Sequence, residues 1–369
     1  MKITVERSKS PKLIPAAKEF GFGRFFSDHM ALVDYVATAS KESKDPAAGR
    51  SWQNPRVVPY GPLSLDPGAA VLHYGQELFE GLKAYRGDDG KVRLFRPEMN
   101  WKRMQSGAAR ICMQAPPMEI FVEVLKEFCR VESRWIPNEP KSAFYLRPTL
   151  IGTEPFLGVR PSNDYLFYVI GSPVGSYYGE GADTVKIKVE TEFVRAAPGG
   201  IGAAKTGGNY AASLRAALEA KQEGFAQVLW LDATERKYIE EVGTMNVFFK
   251  INGKLFTPPL DGTILPGVTR DSVLRLLEEA GMKAEERPIA LDEIVAASRD
   301  GKLEEVFGTG TAASISPVDS LGVNGERIRV GDGKVGPVSA QLLKRLTDLQ
   351  YGRAEDLFGW TLLVDEKNL

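Results

Sequence analysis

Residues 197–210 constrain this chain more than any other stretch, because five glycines surround a single lysine in the sequence APGGIGAAKTGGNY. Glycine has no Cβ atom, so a glycine-rich backbone can turn sharply or approach a bound molecule closely. We therefore expect Lys205, which this segment carries, to point into a site. The residues after Tyr210 have the composition of a helix, which we expect to end at Gly224.

Two kinds of chemistry use a lysine in such a segment. One is the phosphate-binding loop of nucleotide hydrolases, G-x-x-x-x-G-K-S/T, in which Ala204 would replace the second glycine here. That loop also needs a helix that starts at its lysine, and Gly207 and Gly208 disfavour a helix there. The other is covalent, because a lysine amine condenses with an aldehyde such as pyridoxal phosphate. A lysine on a flexible surface loop is the ordinary alternative to both.

The composition limits the class of protein. With 369 residues the chain is long enough for two domains, and its net charge of −1 does not indicate a nucleic-acid-binding surface. Cys112 and Cys129 are the only cysteines, and His29 and His73 are the only histidines, so we expect reduced thiols and no metal site. The chain has no apolar signal core and no run of about eighteen apolar residues, which predicts a cytoplasmic protein.

Strand-like and helix-like segments alternate, which predicts an α/β (α+β) chain. The clearest are a hairpin turn at 88–91, helices that begin at Pro97, Met118 and Leu342, and strands at 143–151, 165–170 and 185–189. Glycine, proline and serine are concentrated near 171–181. We therefore predict a first domain at 1–170, a linker at 171–184 and a second, larger domain at 185–369.

Six motifs follow one another along the chain: HYGQELFEGLKAYRG (73–87), YLRPTLIGTEPFLGV (145–159), KTGGNYAASL (205–214), EEVGTMNVFF (240–249), ILPGVTR (264–270) and FGTGTA (307–312). Together they resemble the class IV, pyridoxal-phosphate-dependent aminotransferases, and specifically the branched-chain amino acid aminotransferases. The resemblance covers nearly the whole chain. It implies the two-domain fold of that family with the cofactor at the domain interface, a homodimer, and amino-group transfer from leucine, isoleucine or valine to 2-oxoglutarate.

The resemblance also implies roles in cofactor binding. Lys205 matches the lysine that holds pyridoxal 5'-phosphate and moves the substrate proton, and Glu241 matches the partner of the pyridine nitrogen. We expect the neighbouring Glu240 to face solvent. Tyr210 matches the donor to the ring oxygen. The residues that match positions near the phosphate are Arg103, Arg195, Thr244, Val268, Thr269 and Thr311.

The substrate pocket must accept both an apolar side chain and a distal carboxylate. The aromatic residues that match the family's pocket are Phe26, Tyr74, Phe79, Tyr145 and Tyr177. Arg147, together with Tyr74, matches the groups that meet the distal carboxylate of glutamate. The substrate α-carboxylate would face the backbone around Thr311 and Ala312. Packing in a core is the ordinary alternative for aromatic residues scattered in this way.

Rival functions remain open at this point. A D-amino-acid aminotransferase or a chorismate-derived lyase would share the fold, but the EGLKAYRG and GTEPFLGV segments argue against both. A nucleotide hydrolase with a P-loop-like segment and a non-catalytic cofactor-binding protein come from other classes. The ranking of the three branched-chain substrates and the direction of the reaction do not follow from the sequence.

Overall fold

The computed structural model describes residues 1–37, 49–175 and 183–364, and the chain forms two compact units. The first unit comprises Met1–Tyr177, Ala204–Gly207 and Leu349–Leu369, and the second comprises Tyr178–Ala203 and Gly208–Asp348. Each unit is built on its own mixed sheet of nine strands. The mixed α and β content agrees with the predicted fold class. Half of the predicted linker, residues 176–182, lies outside the described part of the chain.

The sheet of the first unit contains β1 Thr4–Val5, β2 His29–Ala37, β3 Arg50–Pro59, β4 Glu77–Phe79, β5 Leu82–Arg86, β6 Val92–Phe95, β7 Ala143–Gly152, β8 Tyr165–Val174 and β18 Thr361–Val364. Their order is β1-β3-β2-β8-β7-β5-β6-β18, and β4 also pairs with β7, beyond the end of β5. The long strands β7 and β8 are antiparallel over their whole length. The predicted turn at 88–91 joins the antiparallel strands β5 and β6, so the hairpin prediction is confirmed.

The sheet of the second unit contains β9 Val185–Val189, β10 Gln227–Leu231, β11 Ile239–Val242, β12 Asn246–Ile251, β13 Lys254–Thr257, β14 Ala284–Glu286, β15 Leu303–Gly310, β16 Ser314–Val323 and β17 Glu326–Arg329. Their order is β11-β10-β9-β16-β15-β12-β13-β14, with β17 paired to β16. The alternating sequence of β9 predicts a half-exposed strand. This is confirmed, because its valines and isoleucine are buried and Lys186 is exposed.

Seven α-helices occur in the described residues: α1 Ala70–Tyr74, α2 Pro97–Arg110, α3 Met118–Val131, α4 Gly207–Gln222, α5 Val268–Glu279, α6 Leu291–Arg299 and α7 Pro337–Gln350. Short 3-10 turns occupy Ala17–Glu19 and Ser133–Trp135. The predicted starts of α2 and α3 are confirmed. Within these ranges, no helix combines the length and the apolar character that crossing a membrane requires.

Helices cover one face of the first sheet and leave the other to the candidate site residues. Successive residues of a strand point to opposite faces. On the helix side, the Phe128 ring of α3 lies 6.0 Å from Phe144, and the Phe121 ring lies 5.7 Å from Phe167, measured between centroids. The opposite face therefore carries the intervening residues of β7, namely Tyr145, Arg147 and Thr149.

The ladder along β7 is interrupted between β4 and β5. These two strands pair with different parts of β7, and Glu80 and Gly81 lie in the gap between them. Pro148 of β7 stands opposite this gap and has no N–H to donate to a neighbouring strand. Its carbonyl accepts a hydrogen bond from the backbone N–H of Glu80 at 2.7 Å. The Glu80 side chain is completely buried here.

The second unit places its core between the sheet and α6. Ile294 and Ala297 of this helix are buried in one cluster with side chains of β9, β10, β12 and β15. A smaller cluster joins Ala216 and Ala220 of α4 to Trp230 of β10. The small alanine side chains allow the helix to approach the strand closely. Side chains of β10 belong to both clusters, so this strand is packed on both faces.

The last helix begins at Pro337, earlier than the predicted Leu342. The buried carboxylate of Glu305 accepts the backbone N–H groups of Val338 at 3.0 Å and Ser339 at 2.9 Å, and the Ser339 hydroxyl at 2.7 Å. The first N–H groups of a helix have no partner inside the helix. Glu305, which is distant in sequence, therefore supplies acceptors for these N–H groups. The helix can then begin before Leu342, where its hydrophobic pattern starts.

We predict that Glu305→Ala lowers the free energy of unfolding by about 2 kcal/mol, because two buried N–H groups and a hydroxyl lose their acceptors. Denaturant-induced unfolding measures this change. Glu326→Ala is the control, since Glu326 and its partner Arg299 are both exposed, and exposed ion pairs contribute at most about 1 kcal/mol. Equal effects of the two substitutions would contradict the capping role of Glu305.

Candidate active site

The segment that carries Lys205 runs beside β4. The backbone N–H of Phe79 donates to the carbonyl of Lys205 at 2.9 Å, and the Thr206 hydroxyl donates to the carbonyl of Glu77 at 2.8 Å. The backbone N–H of Gly207 donates to the Glu77 carboxylate at 2.5 Å. Three consecutive residues are thus hydrogen-bonded to one short strand. This fixes the backbone of Lys205 and excludes the reading of Lys205 as part of a flexible surface loop.

The prediction that Gly207 and Gly208 disfavour a helix beside Lys205 is wrong, because α4 begins at Gly207. Glycine lowers helix propensity, but the Glu77 carboxylate satisfies the first N–H and suits the positive end of the helix. A Cβ atom on residue 207 would lie 2.2 Å from Glu77 Oε1. A side chain at position 207 would therefore have to displace the Glu77 carboxylate from the start of the helix.

Two cationic side chains flank the ring of Phe79. Lys205 Nζ lies 4.7 Å from the ring centroid, and Arg147 Cζ lies 4.6 Å from it. Distances below about 6 Å are typical of cation–π contacts. Arg147 Nη2 also donates to the Tyr145 hydroxyl at 3.0 Å. The structure therefore brings four of the predicted site residues together: Phe79, Tyr145, Arg147 and Lys205.

The Arg147 guanidinium uses few of its N–H donors within the described part of the chain. Its guanidinium has five N–H donors. Among the residues that the structure describes, its one side-chain hydrogen bond is to Tyr145, and its Nε is buried without a hydrogen-bond partner. A buried donor without an acceptor is costly. A carboxylate matches the geometry of a guanidinium, so this arrangement suits an anionic ligand.

The other predicted pocket residues of the first unit have different neighbours. The Phe26 ring stacks on Tyr60 with centroids 5.2 Å apart. Tyr74 is 40% exposed, and its hydroxyl donates to the carbonyl of Leu157. Tyr177 lies outside the described residues. The pocket roles of these three aromatic residues stay predictions.

Arg103 forms a buried ion pair that the sequence analysis did not identify. Its Nε and Nη2 donate to the two carboxylate oxygens of Glu80 at 2.8 and 2.7 Å, and Asn100 Nδ2 donates to Glu80 at 2.8 Å. Glu80 lies in the gap between β4 and β5. A bidentate pair of this kind fixes the orientation of the guanidinium. The phosphate role of Arg103 stays a prediction, and it would have to use donors beyond these two bonds.

Glu241 and Arg195 form a buried ion pair in the second unit. Arg195 Nε lies 3.2 Å from Glu241 Oε2, and the backbone N–H of Leu265 donates to Glu241 Oε1 at 2.7 Å. Arg195 Nη2 donates to the carbonyl of Gly202 at 3.2 Å. A buried carboxylate held in this way suits a protonated pyridine nitrogen, because hydrogen bonds between charged groups are strong.

The prediction that Glu240 faces solvent is wrong, because its side chain is only 4% exposed. All four residues of β11 are buried, so alternation along this strand does not lead to solvent on either face. Burial raises the pKa of Glu240 to about 7. The Thr263 hydroxyl lies 2.7 Å from both Glu240 and Asp261, and its single proton can serve only one of them.

The N-terminus of α5 is available to an anion. The helix begins at Val268, and its N-cap, Gly267, provides no side-chain cap. Free N–H groups at a helix start attract phosphate. Asn246 Nδ2 donates to the carbonyl of Leu265 at 2.9 Å and holds the chain before the helix. The phosphate roles of Val268 and Thr269 fit this geometry and stay predictions.

Three further predicted residues lie on two turns of the second unit. Thr244 is in the turn after β11, and Thr311 and Ala312 are in the turn after β15. The turns are neighbours, because a Cβ on Gly310 would lie 3.0 Å from Met245 Cγ. Thr244 is exposed, and Thr311 and Ala312 are half-buried. Their hydroxyl and backbone groups are thus placed near one another.

The donor set fits pyridoxal 5'-phosphate. The group needs an amine for its aldehyde, an acid for its pyridine nitrogen and donors for its phosphate. Lys205, Glu241 and the N-terminus of α5 have these chemical properties. Tyr210 lies half-buried in the first turn of α4, and its carbonyl accepts the Ser213 hydroxyl at 2.7 Å. Its role toward the ring oxygen stays a prediction.

Two acidic residues at this site were missed by the sequence analysis. Glu77 and Glu80 both lie in the segment HYGQELFEGLKAYRG. Glu77 precedes Phe79 by two residues in β4, and that spacing places both on one face of a strand. The alternation in this motif could therefore have identified Glu77. The buried position of Glu80 depends on the interruption of the β7 ladder, for which no local signal exists.

Comparisons with known proteins agree with this chemistry. The family described as amino-transferase class IV matches residues 77–321. The chain is 50% identical over 362 residues to branched-chain-amino-acid aminotransferase 2 of Bacillus subtilis (strain 168), and this alignment covers 98% of the chain and 97% of that relative.

Solved structures show the same similarity. The branched-chain amino acid aminotransferase of Escherichia coli superposes with a TM-score of 0.71 at 31% identity, over 84% of this chain and 97% of that one. The branched-chain aminotransferase of the archaeon Thermoproteus uzoniensis, with norvaline, gives 0.72 at 25% identity, over 84% of this chain and 97% of that one. Class IV aminotransferases use pyridoxal phosphate. The chain belongs to the class IV aminotransferases and, within them, to the branched-chain-amino-acid aminotransferases.

Proposed function

We propose that this enzyme transfers the amino group of leucine, isoleucine or valine reversibly to 2-oxoglutarate, giving the branched-chain 2-oxo acid and glutamate. The observation that carries the proposal is the group around Phe79, where Lys205 is fixed beside an aromatic ring and an incompletely hydrogen-bonded Arg147. Apolar rings and a guanidinium in one place suit both a branched side chain and a distal carboxylate. The competing reading as a nucleotide hydrolase is not favoured.

The chemistry divides between the bound group and the protein. Pyridoxal phosphate, when bound, supplies the electron sink that makes removal of the Cα proton of the amino acid possible. Lys205 anchors the cofactor, and its Nζ moves the proton at Cα as a general base and acid. Glu241 holds the proton on the pyridine nitrogen, and Arg195 and Leu265 hold Glu241 in place.

Binding and orientation fall to the remaining residues. The residues proposed to hold the phosphate are Val268, Thr269, Thr244, Thr311, Arg103 and Arg195. Tyr210 is proposed to donate a hydrogen bond to the ring oxygen. Thr311 and Ala312 are proposed to present backbone N–H groups to the substrate α-carboxylate. The aromatic residues Phe26, Tyr74, Phe79, Tyr145 and Tyr177 are proposed to line the pocket for the branched side chain and to exclude water from it.

We predict that Lys205→Ala lowers the rate of transfer from leucine to 2-oxoglutarate by roughly 10³-fold or more, because both the anchor and the proton carrier are lost. The visible absorbance of the bound cofactor should change with it. Lys186→Ala is the control, since Lys186 is exposed on β9. Measurable turnover near the wild-type rate in Lys205→Ala would overturn the assignment of Lys205.

We predict that Glu241→Gln slows the reaction about 10- to 150-fold, the rate equivalent of one charge-assisted hydrogen bond, because an amide does not hold the pyridine proton. Steady-state kinetics at pH 7 measures the change. Glu240→Gln is the matched control, because the neighbouring acid already titrates near neutral pH and should lose little. A larger effect of Glu240→Gln would mean that Glu240 is the acid.

We also propose that the enzyme is a cytoplasmic homodimer, as the family resemblance implies. Sedimentation velocity should give a mass near twice 40.5 kDa at micromolar concentration. An active species that sediments as a monomer would contradict the dimer while leaving the assignment of the reaction intact.

A further inference from the structure

Glu77 is an acidic side chain that joins the Lys205 segment to the group around Phe79. Its carboxylate accepts the Gly207 N–H at 2.5 Å, and its carbonyl accepts the Thr206 hydroxyl at 2.8 Å. The carboxylate lies directly against the backbone, because residue 207 is glycine and has no Cβ in that space. The hydrogen bond to the Gly207 N–H restricts its rotation. The carboxyl group of Glu77 is therefore held at a defined position beside the Lys205 segment.

The strand register puts this charge on the same face as Arg147. Glu77 pairs with Ile151 and Phe79 with Thr149, and residues directly opposite one another in an antiparallel pair share a face. Arg147 follows two residues along β7 on that face, and its guanidinium lies over the Phe79 ring at 4.6 Å. Glu77, Phe79 and Arg147 therefore line one surface.

Electrostatic effects agree with this placement. Burial raises the pKa of Glu77 above its usual value, and the Gly207 N–H and the positive charge of Arg147 oppose this rise only in part. Burial raises the pKa of Tyr168, which faces Thr149 across β7 and β8, and the charges of Glu77 and Arg147 act on this pKa in opposite directions. Both charges are thus within electrostatic range of the same phenol.

We propose that Glu77 is a specificity-determining residue that supplies the counter-charge of Arg147 when an apolar side chain occupies the pocket. The inference rests on the proposed role of Arg147 in binding the distal carboxylate. A branched side chain brings no charge, and a desolvated guanidinium without a counter-charge is costly. Glu77 removes part of that cost. It also competes with the distal carboxylate of a dicarboxylic substrate, so it balances the affinities of the two substrate classes.

The test uses the holoenzyme and two unreactive probes, glutarate for the dicarboxylic class and 4-methylvalerate for the branched class. Isothermal titration calorimetry measures both dissociation constants. Glu77→Gln removes the charge and keeps an oxygen acceptor of the same reach for Gly207. We expect the affinity ratio of glutarate to 4-methylvalerate to rise about three-fold or more, with glutarate binding tighter and 4-methylvalerate weaker.

Two further variants separate charge from structure. Glu119→Gln removes an equal charge from the exposed start of α3, which packs on the opposite face of the sheet, and should leave the ratio unchanged. The second variant is the double substitution Arg147→Met with Glu77→Gln. Its affinity ratio of glutarate to 4-methylvalerate should equal that of Arg147→Met alone, because the effect of Glu77 acts through Arg147. The proposal is overturned if the affinity ratio does not rise in Glu77→Gln. It is also overturned if Glu77→Gln raises the ratio equally in the wild-type and the Arg147→Met backgrounds.

The anchoring of Glu77 has its own measurement. Hydrogen exchange at the Gly207 N–H should accelerate in Glu77→Ala and stay near the wild-type rate in Glu77→Gln, because only alanine removes the acceptor. Unchanged exchange in Glu77→Ala contradicts the fixed position of the carboxylate. These readouts do not depend on turnover. Absence of amino transfer from leucine in the wild-type enzyme would instead overturn the proposed function.

Discussion

Three hydrogen bonds between β4 and the residues 205–207 are the contacts on which the site depends. The strand has only three residues, and it is held in turn by β7, whose other edge pairs with β8 along its full length. Lys205 is thus positioned by the sheet, although it belongs to a glycine-rich segment. A side chain at position 207 would collide with the Glu77 carboxylate that accepts the Gly207 N–H.

Local patterns predicted most of the elements. The alternation in β9, the aromatic and branched residues of β7 and β8, the turn at 88–91 and the start of α2 each depend on neighbours in sequence. Two helix starts were predicted too late, and in both a distant carboxylate caps the helix. Glu77 is 130 residues away from Gly207, and Glu305 is 33 away from Val338. Periodicity within a segment does not contain such contacts.

The motifs identified candidate residues at the site, but not their partners. No local signal pairs Arg103 with Glu80, because the pair forms where β4 and β5 part on either side of Pro148. Glu240 was predicted to face solvent on the assumption that one face of its strand is open. Both faces of β11 are covered by packing that involves remote segments. The identities of the acids could be predicted, and their burial could not.

The three guanidiniums among the predicted site residues differ in what the fold provides for them. Arg103 has both carboxylate oxygens of Glu80, and Arg195 lies against Glu241. Within the part of the chain that the structure describes, Arg147 has the Tyr145 hydroxyl, the Phe79 ring and electrostatic attraction from Glu77, but no direct ion pair. A buried cation gains most from a direct ionic partner. The fold thus provides direct ionic partners for two of these charges and, among the described residues, none for the third, which is why the proposal assigns recognition of substrate charge to Arg147.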